Sequence, residues 1–183
     1  MRKIVLGISL VLALTACGSD DSAAFIGATQ QPTTAASPAD TSATSPAQEV
    51  ALGGAVINGD LGVEPQVTID TTAAPATELG IMDISVGGGA VVTADSTVTA
   101  HYVGYGAVTG QMFDASWSRG EPATFPLANV IVGWQQGLQG MKVGGRRALL
   151  IPADMAYGDT PPAGSGIEPG ETLLFVVDLV EVQ

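Results

Sequence analysis

The sequence predicts an α+β domain in which an antiparallel β-sheet wraps around one short α-helix. Several short runs of β-branched and aromatic residues are separated by glycine-rich or proline-containing breaks. The last run, Thr172 to Val182, is apolar on both sides of its alternation through its middle, as expected of a central strand. One segment alone switches period. Val130, Trp134, Leu138 and Met141 fall at i, i+4, i+8 and i+11, a single helical stripe.

Taken in order, Val67-Thr68-Ile69 and Ile81 to Val86 read as short strands separated by the Ala74-Pro75 break, and Gly87-Gly88-Gly89 reads as a turn. Val98, Ala100 and Tyr102 alternate with Thr99, His101 and Val103, the period of a half-buried strand. A turn at Val108-Thr109-Gly110 sends Gln111 to Asp114 back antiparallel, and Ala148 to Ile151 forms another strand, stopped by Pro152. Gly133, Gly137 and Gly140 interrupt the helical stripe, each costing roughly 1 kcal/mol relative to alanine. Such a helix depends on packing its Trp134 stripe onto the sheet.

Ahead of these elements the chain carries an address. Arg2 and Lys3 precede an apolar or small stretch, Ile4 to Leu14. This is too short for the roughly 20 residues that span a bilayer but suits the core of a signal peptide, assigned to residues 1–16. Leu14-Thr15-Ala16-Cys17 is similar to a bacterial lipobox, which would make Cys17 the lipidated first residue of the mature chain. An ordinary secretory signal followed by an incidental cysteine is the alternative. Two or more acyl chains would anchor the protein stably to the cell membrane, facing the extracytoplasmic side. Residues 17–62 hold no Lys, Arg or His and are punctuated by Pro32, Pro38 and Pro46, so they read as the lipid-bearing Cys followed by a disordered tether.

The 121 residues from 63 to 183 are assigned to one folded domain, with its core over 79–183. Cys17 is the only cysteine, so no disulfide supports that domain and its hydrophobic core must. The chain carries 18 acidic against 6 basic residues, a net charge of −12; without Arg2 and Lys3, 4 basic residues would remain and the charge would be −14. A nucleic-acid partner is excluded for want of a basic footprint, and electrostatic attraction to an anionic membrane is excluded too.

Tyr102, Phe113, Trp134, Tyr157 and Phe175 outline an apolar pocket with a few polar groups at its rim and no obvious nucleophile. His101 is the single histidine, and without a paired acid or a Ser or Cys partner it reads as a sheet histidine, not a hydrolytic base. The motifs HYVGY, GQMFDAS, VIVGWQQGLQGMKVGGRR, AYG and TLLFVVDL, in this order and spacing, resemble the FKBP-type peptidyl-prolyl cis-trans isomerases. The resemblance is strong from Val98 to Val182 and weaker from Leu79 to Thr97, and SWSRGEPATFPL is most similar to exported bacterial members.

That resemblance implies an enzyme that isomerises X-Pro bonds while extracytoplasmic proteins fold. It implies proline-containing polypeptide substrates, macrolide ligands, no cofactor or metal, and a monomer. It makes Trp134 the pocket floor under the prolyl ring and Tyr102, Phe113 and Phe175 the walls. The amide of Ile131, after Val130, would anchor one substrate carbonyl, and the Tyr157 hydroxyl another. Ile167 would flap over the ligand from the loop Gly158 to Gly170. Asp114 and Arg119 match a pair that joins Tyr102 in a polar network at the rim.

The residues themselves leave alternatives open. Trp134 and the strand aromatics suit a plain core, Tyr157 suits a local turn cap, and Asp114 with Arg119 suits a surface ion pair worth about 0–1 kcal/mol. Asp114 directly follows Phe113 on a strand, so both reach one pocket only if a bulge intervenes. The chain also departs from the family pattern. Only Ala128 and Asn129 separate Leu127 from Val130, a shorter segment than usual, and Ala123 stands where many members carry an aromatic. The loop from Asp159 to Gly166 has its own composition. These departures keep an FKBP-fold binding or holdase chaperone with weak isomerase activity as the alternative function. For the anchor, Cys17→Ala is expected to release the protein from the membrane fraction and to remove the lipid mass from the mature chain; a variant that stays membrane-bound would refute the lipobox reading.

Overall fold

A computed structural model describes residues 49–183. The signal peptide at 1–16, Cys17 and the tether as far as residue 48 lie outside the described residues. The strands are β1 (Val50–Leu52), β2 (Ala55–Asn58), β3 (Gln66–Ile69), β4 (Gly80–Ser85), β5 (Thr97–Gly106), β6 (Met112–Ala115), β7 (Ala123–Pro126), β8 (Arg146–Ile151) and β9 (Leu173–Val182). One α-helix, α1 (Val132–Gly137), lies between β7 and β8.

The main sheet is antiparallel with order β4-β8-β9-β5-β6, and β7 pairs with β5. Strand β5 is long enough to serve three partners. One edge runs along β9 from Val98 to Gly106, while the other pairs with β7 over Thr97 to Ala100 and with β6 over Val103 to Tyr105. The α+β expectation of a sheet around one short helix holds.

Alternation along the central strands divides the core into two. Tyr102 on β5, Leu149 and Ile151 on β8, and Leu173, Phe175 and Val177 on β9 face one side, where they pack with Trp134, Leu138 and Met141. Val103, Ala148 and Val176 face the other side and pack with Ile57, and Leu150 and Leu174 pack with Ala55. The second layer is a small antiparallel sheet, β1-β2-β3. It covers the face that α1 leaves bare, which explains why β9 is apolar in both directions.

Residues 50–58, expected to be part of the tether, instead form two paired strands. Val50 pairs with Ile57 and Leu52 with Ala55 across the two-residue turn Gly53-Gly54. Both glycines have positive φ (57° and 83°), the backbone that a tight two-residue hairpin turn demands. Ala55 and Ile57 are buried, so the segment recovers its ordering entropy by apolar burial on the main sheet. The folded part therefore begins ahead of Val63.

The helix is shorter than the four-residue stripe suggests. Trp134, Leu138 and Met141 are all buried as expected, but α1 ends at Gly137 and a turn with Gly140 at φ 75° carries Met141 inward. Arg147 completes the helix end: its Nη1 donates to Gly137 O at 2.7 Å and Gln139 O at 3.1 Å, while its other nitrogens hold Asp83. Two helical glycines have a packing reason. A β-carbon on Gly133 would stand 2.3 Å from Ile151 Cγ2, and one on Gly137 would stand 2.7 Å from Leu149 Cδ2. Close approach to β8 offsets their helix cost.

Between the two sheets lies a buried ion pair. Arg146 Nε and Nη2 donate to Asp178 Oδ1 and Oδ2 at 2.5 and 2.7 Å. Arg146 also donates to Gly59 O at 3.0 Å and Val63 O at 2.6 Å, and Gly62 N–H donates to Asp178 at 2.8 Å. The pair thus clamps the β2–β3 loop to the main sheet. Asp178→Ala is expected to lower the unfolding free energy by about 3–5 kcal/mol, because it leaves a buried guanidinium without its counter-charge; a loss below about 1 kcal/mol in urea titration would contradict this.

Candidate active site

On the helix side, the core stops short of closing. A cavity of about 340 Å³ opens there, lined by Tyr102, Phe113, Asp114, Phe125, Asn129, Val130, Ile131, Trp134, Tyr157 and Phe175. Trp134, only 4% exposed, lies at its base with three rings set edge-on around it. The centroids of Tyr102, Phe125 and Phe175 stand 5.5, 5.8 and 5.4 Å from it at 83–89° between planes. Such edge-to-face contacts fix ring positions as well as burying area. The indole Nε1 has no hydrogen-bond partner among the described residues.

Phe113 and Asp114 both reach this cavity, and the strand register shows how. Gly104 pairs with Asp114 but Tyr105 pairs with Met112, so Phe113 is the extra residue of a β-bulge. The Phe113 ring then lies across β5, 5.5 Å from Phe175 and edge-on to it. Gly104 makes room, since a β-carbon there would stand 2.6 Å from Phe113 and 2.9 Å from Phe175.

The bulge also aims Asp114 at the rim. Tyr102 donates its hydroxyl to Asp114 Oδ2, Arg119 Nη1 donates to Asp114 Oδ1 at 2.7 Å, and Arg119 Nη2 donates to the Tyr102 oxygen at 2.8 Å. Gly120, at φ 75°, ends the short turn Trp117–Arg119 that presents the guanidinium. Burial pulls the Asp114 carboxyl up, but the hydrogen bonds from Tyr102 and Arg119 and the Arg119 charge outweigh it, leaving the group below its ordinary value. Burial, reinforced by Asp114, pushes the Tyr102 phenol up to about 12. Burial first, and the Asp114 charge second, raise Tyr157 as well. Both phenols stay protonated at neutral pH and remain donors.

Of the residues singled out from sequence, Tyr102, Phe113, Asp114, Val130, Ile131, Trp134, Tyr157 and Phe175 meet at the cavity. Arg119 acts at the rim through Asp114 and Tyr102 and is not itself in the lining. Ile167 packs, half-buried, against the helix-side core without lining the cavity. Phe125 and Asn129 were not foreseen. Phe125 stands two residues beyond Ala123 on β7, hence on the same face of the strand, and supplies an aromatic wall beside that alanine. The signal was the alternation Ala123-Thr124-Phe125.

His101 faces away from the cavity, stacked on Trp117 with centroids 4.0 Å apart and its Nδ1 3.0 Å from Ser116 Oγ. Ser116 is fully buried, and its hydroxyl already bonds the Tyr102 N–H and carbonyl. This pair is a strand fastener, not a nucleophile and base.

The site is an aromatic pit with neutral donors and one carboxylate paired to a guanidinium. The chain's sequence relatives give the class: residues 88–180 match the family FKBP-type peptidyl-prolyl cis-trans isomerase, and the chain belongs to it. It is 57% identical over 110 residues to an FK506-binding protein of Streptomyces anulatus, covering 59% of this chain and 89% of that one. A probable FK506-binding protein of Corynebacterium glutamicum is 48% identical over 118 residues, covering 64% and 97%. Among solved structures, a peptidyl-prolyl cis-trans isomerase from Pseudomonas syringae matches with TM-score 0.53 at 33% identity, covering 60% of this chain and 78% of that one. FkpA from Escherichia coli matches with TM-score 0.53 at 37% identity, covering 63% and 51%. Strands β1 to β3 lie outside the family match.

The triad makes a testable pH prediction. A depressed Asp114 contributes stability that is fully present above its unfolded value near 3.8 and is lost as pH falls through the folded value below it. Tyr102→Phe removes the hydrogen bond that most lowers Asp114. Carboxyl titration by NMR should show the Asp114 midpoint moving upward in that variant; an unchanged midpoint would disprove the coupling.

Proposed function

We propose that this protein accelerates X-Pro isomerisation during the folding of extracytoplasmic proteins, by binding the prolyl segment in the aromatic cavity. We further propose that lipid on Cys17 holds it at the outer side of the cell membrane. The observation that carries the catalytic reading is the cavity itself: five aromatic side chains surround a Trp134 base, and its carboxylate, Asp114, is already taken up by Tyr102 and Arg119.

The barrier to rotation about a peptide C–N bond is ~18–20 kcal/mol and arises from amide resonance. Water stabilises the planar form by hydrogen bonding its polarised carbonyl. Moving the bond into an apolar site removes that help, whereas the twisted form, with less charge separation, loses less. Trp134 and the rings about it would hold the pyrrolidine ring. The Ile131 N–H and the Tyr157 hydroxyl would fix flanking carbonyls, so that the remaining rotation is confined to one bond. Catalysis is then differential binding of the twisted state, with no covalent step. Asp114 does no proton transfer in this scheme; bound to Arg119 and Tyr102, it keeps Tyr102 and the bulge in place.

The names of two relatives include FK506 binding, and the same cavity is proposed to take such a ligand. In a proline-limited refolding assay the protein from Glu49 onward should accelerate the slow phase, and FK506 should abolish the effect. Tyr157→Phe should lower kcat/KM roughly 2- to 10-fold, the value of one hydrogen bond, and Trp134→Leu by at least as much. No acceleration of the slow phase by the unmodified protein would sink the isomerase reading. Suppressed aggregation of an unfolded client without acceleration would favour the holdase.

A further inference from the structure

Ala128 and Asn129 are wound into one tight turn, Leu127–Asn129, directly before α1. Val130 then runs extended (φ −99°, ψ 173°), and Ile131 (φ −58°, ψ 151°) opens the helix without any side-chain cap. The peptide joining these two residues carries the Val130 carbonyl and the Ile131 N–H. A trans peptide sets the two groups antiparallel, so whatever fixes one aims the other. The Ile131 N–H donates to no group among the described residues, and Ile131 lines the cavity.

The opposite end of that peptide is held. Gln135 Nε2 donates to Val130 O at 2.8 Å and, more weakly, to Ala128 O at 3.4 Å. Both neighbours are carbonyls, which assigns the nitrogen, not the oxygen, of the Gln135 amide to this side. These are the only side-chain hydrogen bonds to the segment 127–131 among the described residues. A hydrogen bond accepted by a peptide carbonyl also polarises its N–H and improves it as a donor. Gln135 is one helical turn on from Ile131, close enough to reach back, yet it does not line the cavity.

We infer that Gln135 is a positioning residue for the isomerase: its side-chain amide sets the plane of the Val130–Ile131 peptide and so aims the Ile131 N–H at the bound prolyl segment. The inference rests on the function proposed above. Its chemistry is specific, because the position requires a donor that spans back about one turn. Leucine has the volume without the donor, glutamate has the shape but is acceptor-only when ionised, and lysine has donors and no acceptor.

The test compares Gln135→Leu, Gln135→Glu and Gln135→Lys with the parent protein, reading the Ile131 amide shift and its hydrogen exchange without substrate, and kcat and KM on a proline-containing peptide. In the Leu and Glu variants at neutral pH, the Ile131 signal should move and its exchange rate should change. KM should rise roughly 3- to 10-fold with a smaller change in kcat, the loss expected of one oriented hydrogen bond. Lys should recover most of both, and Glu should recover the Ile131 signal as pH falls below about 4.3, when its acid form can donate. An Ile131 amide that is unchanged in both the Leu and Glu variants overturns the inference. If the parent protein catalyses nothing, the isomerase reading fails, while the Ile131 amide comparison still decides the positioning.

Discussion

Strand β9 is apolar on both faces, and neither face can be left to water. That constraint organises the molecule. Leu173, Phe175 and Val177 require a cover on one side, and Leu174 and Val176 require one on the other. The helix α1 answers the first need and the small sheet β1-β2-β3 answers the second. Arg146 and Asp178, directly paired across β8 and β9, then make their buried charge pair a fastening for the loop that the small sheet brings with it.

The cavity follows from how incompletely α1 covers its side. A six-residue helix carrying two glycines sits close to β8, and the aromatic side chains beyond it meet one another edge-on instead of filling the space. The rings of Tyr102, Phe125, Trp134 and Phe175 are therefore core and cavity wall together. A bulge at one residue, Phe113, supplies the remaining wall and turns Asp114 toward Arg119. Edge-to-face rings and a three-membered hydrogen-bond network hold the site together.

Much of this was legible in the sequence because two periods carry it. The alternation in β5 and β9 and the stripe from Trp134 to Met141 each put the right side chains inside, and ordered motifs gathered eight site residues. What escaped depended on context that periodicity does not report. The hairpin Val50 to Asn58 has the composition of a tether, and only the Gly53-Gly54 pair, flanked by Val50-Ala51-Leu52 and Ala55-Val56-Ile57, marked it as a turn between strands. The two-faced apolarity of β9 had already demanded a second cover that the helix alone does not supply. The stripe runs past the helix because burial continues through Leu138 and Met141 after the helical backbone has ended. Ala123 leaves a gap in the wall, and Phe125, two residues along on the same strand face, fills it.

The small sheet also decides how the molecule bears load. The described chain enters the fold at Val50, on the side of the main sheet opposite the cavity. A pull applied at that end is borne first by the pairing of β1 with β2 and then by the Arg146–Asp178 clamp on the β2–β3 loop. The strands that carry Tyr102 and Phe175, and the helix that carries Trp134, lie behind both. The N-terminal layer thus stands between that end of the described chain and the strands that line the aromatic cavity.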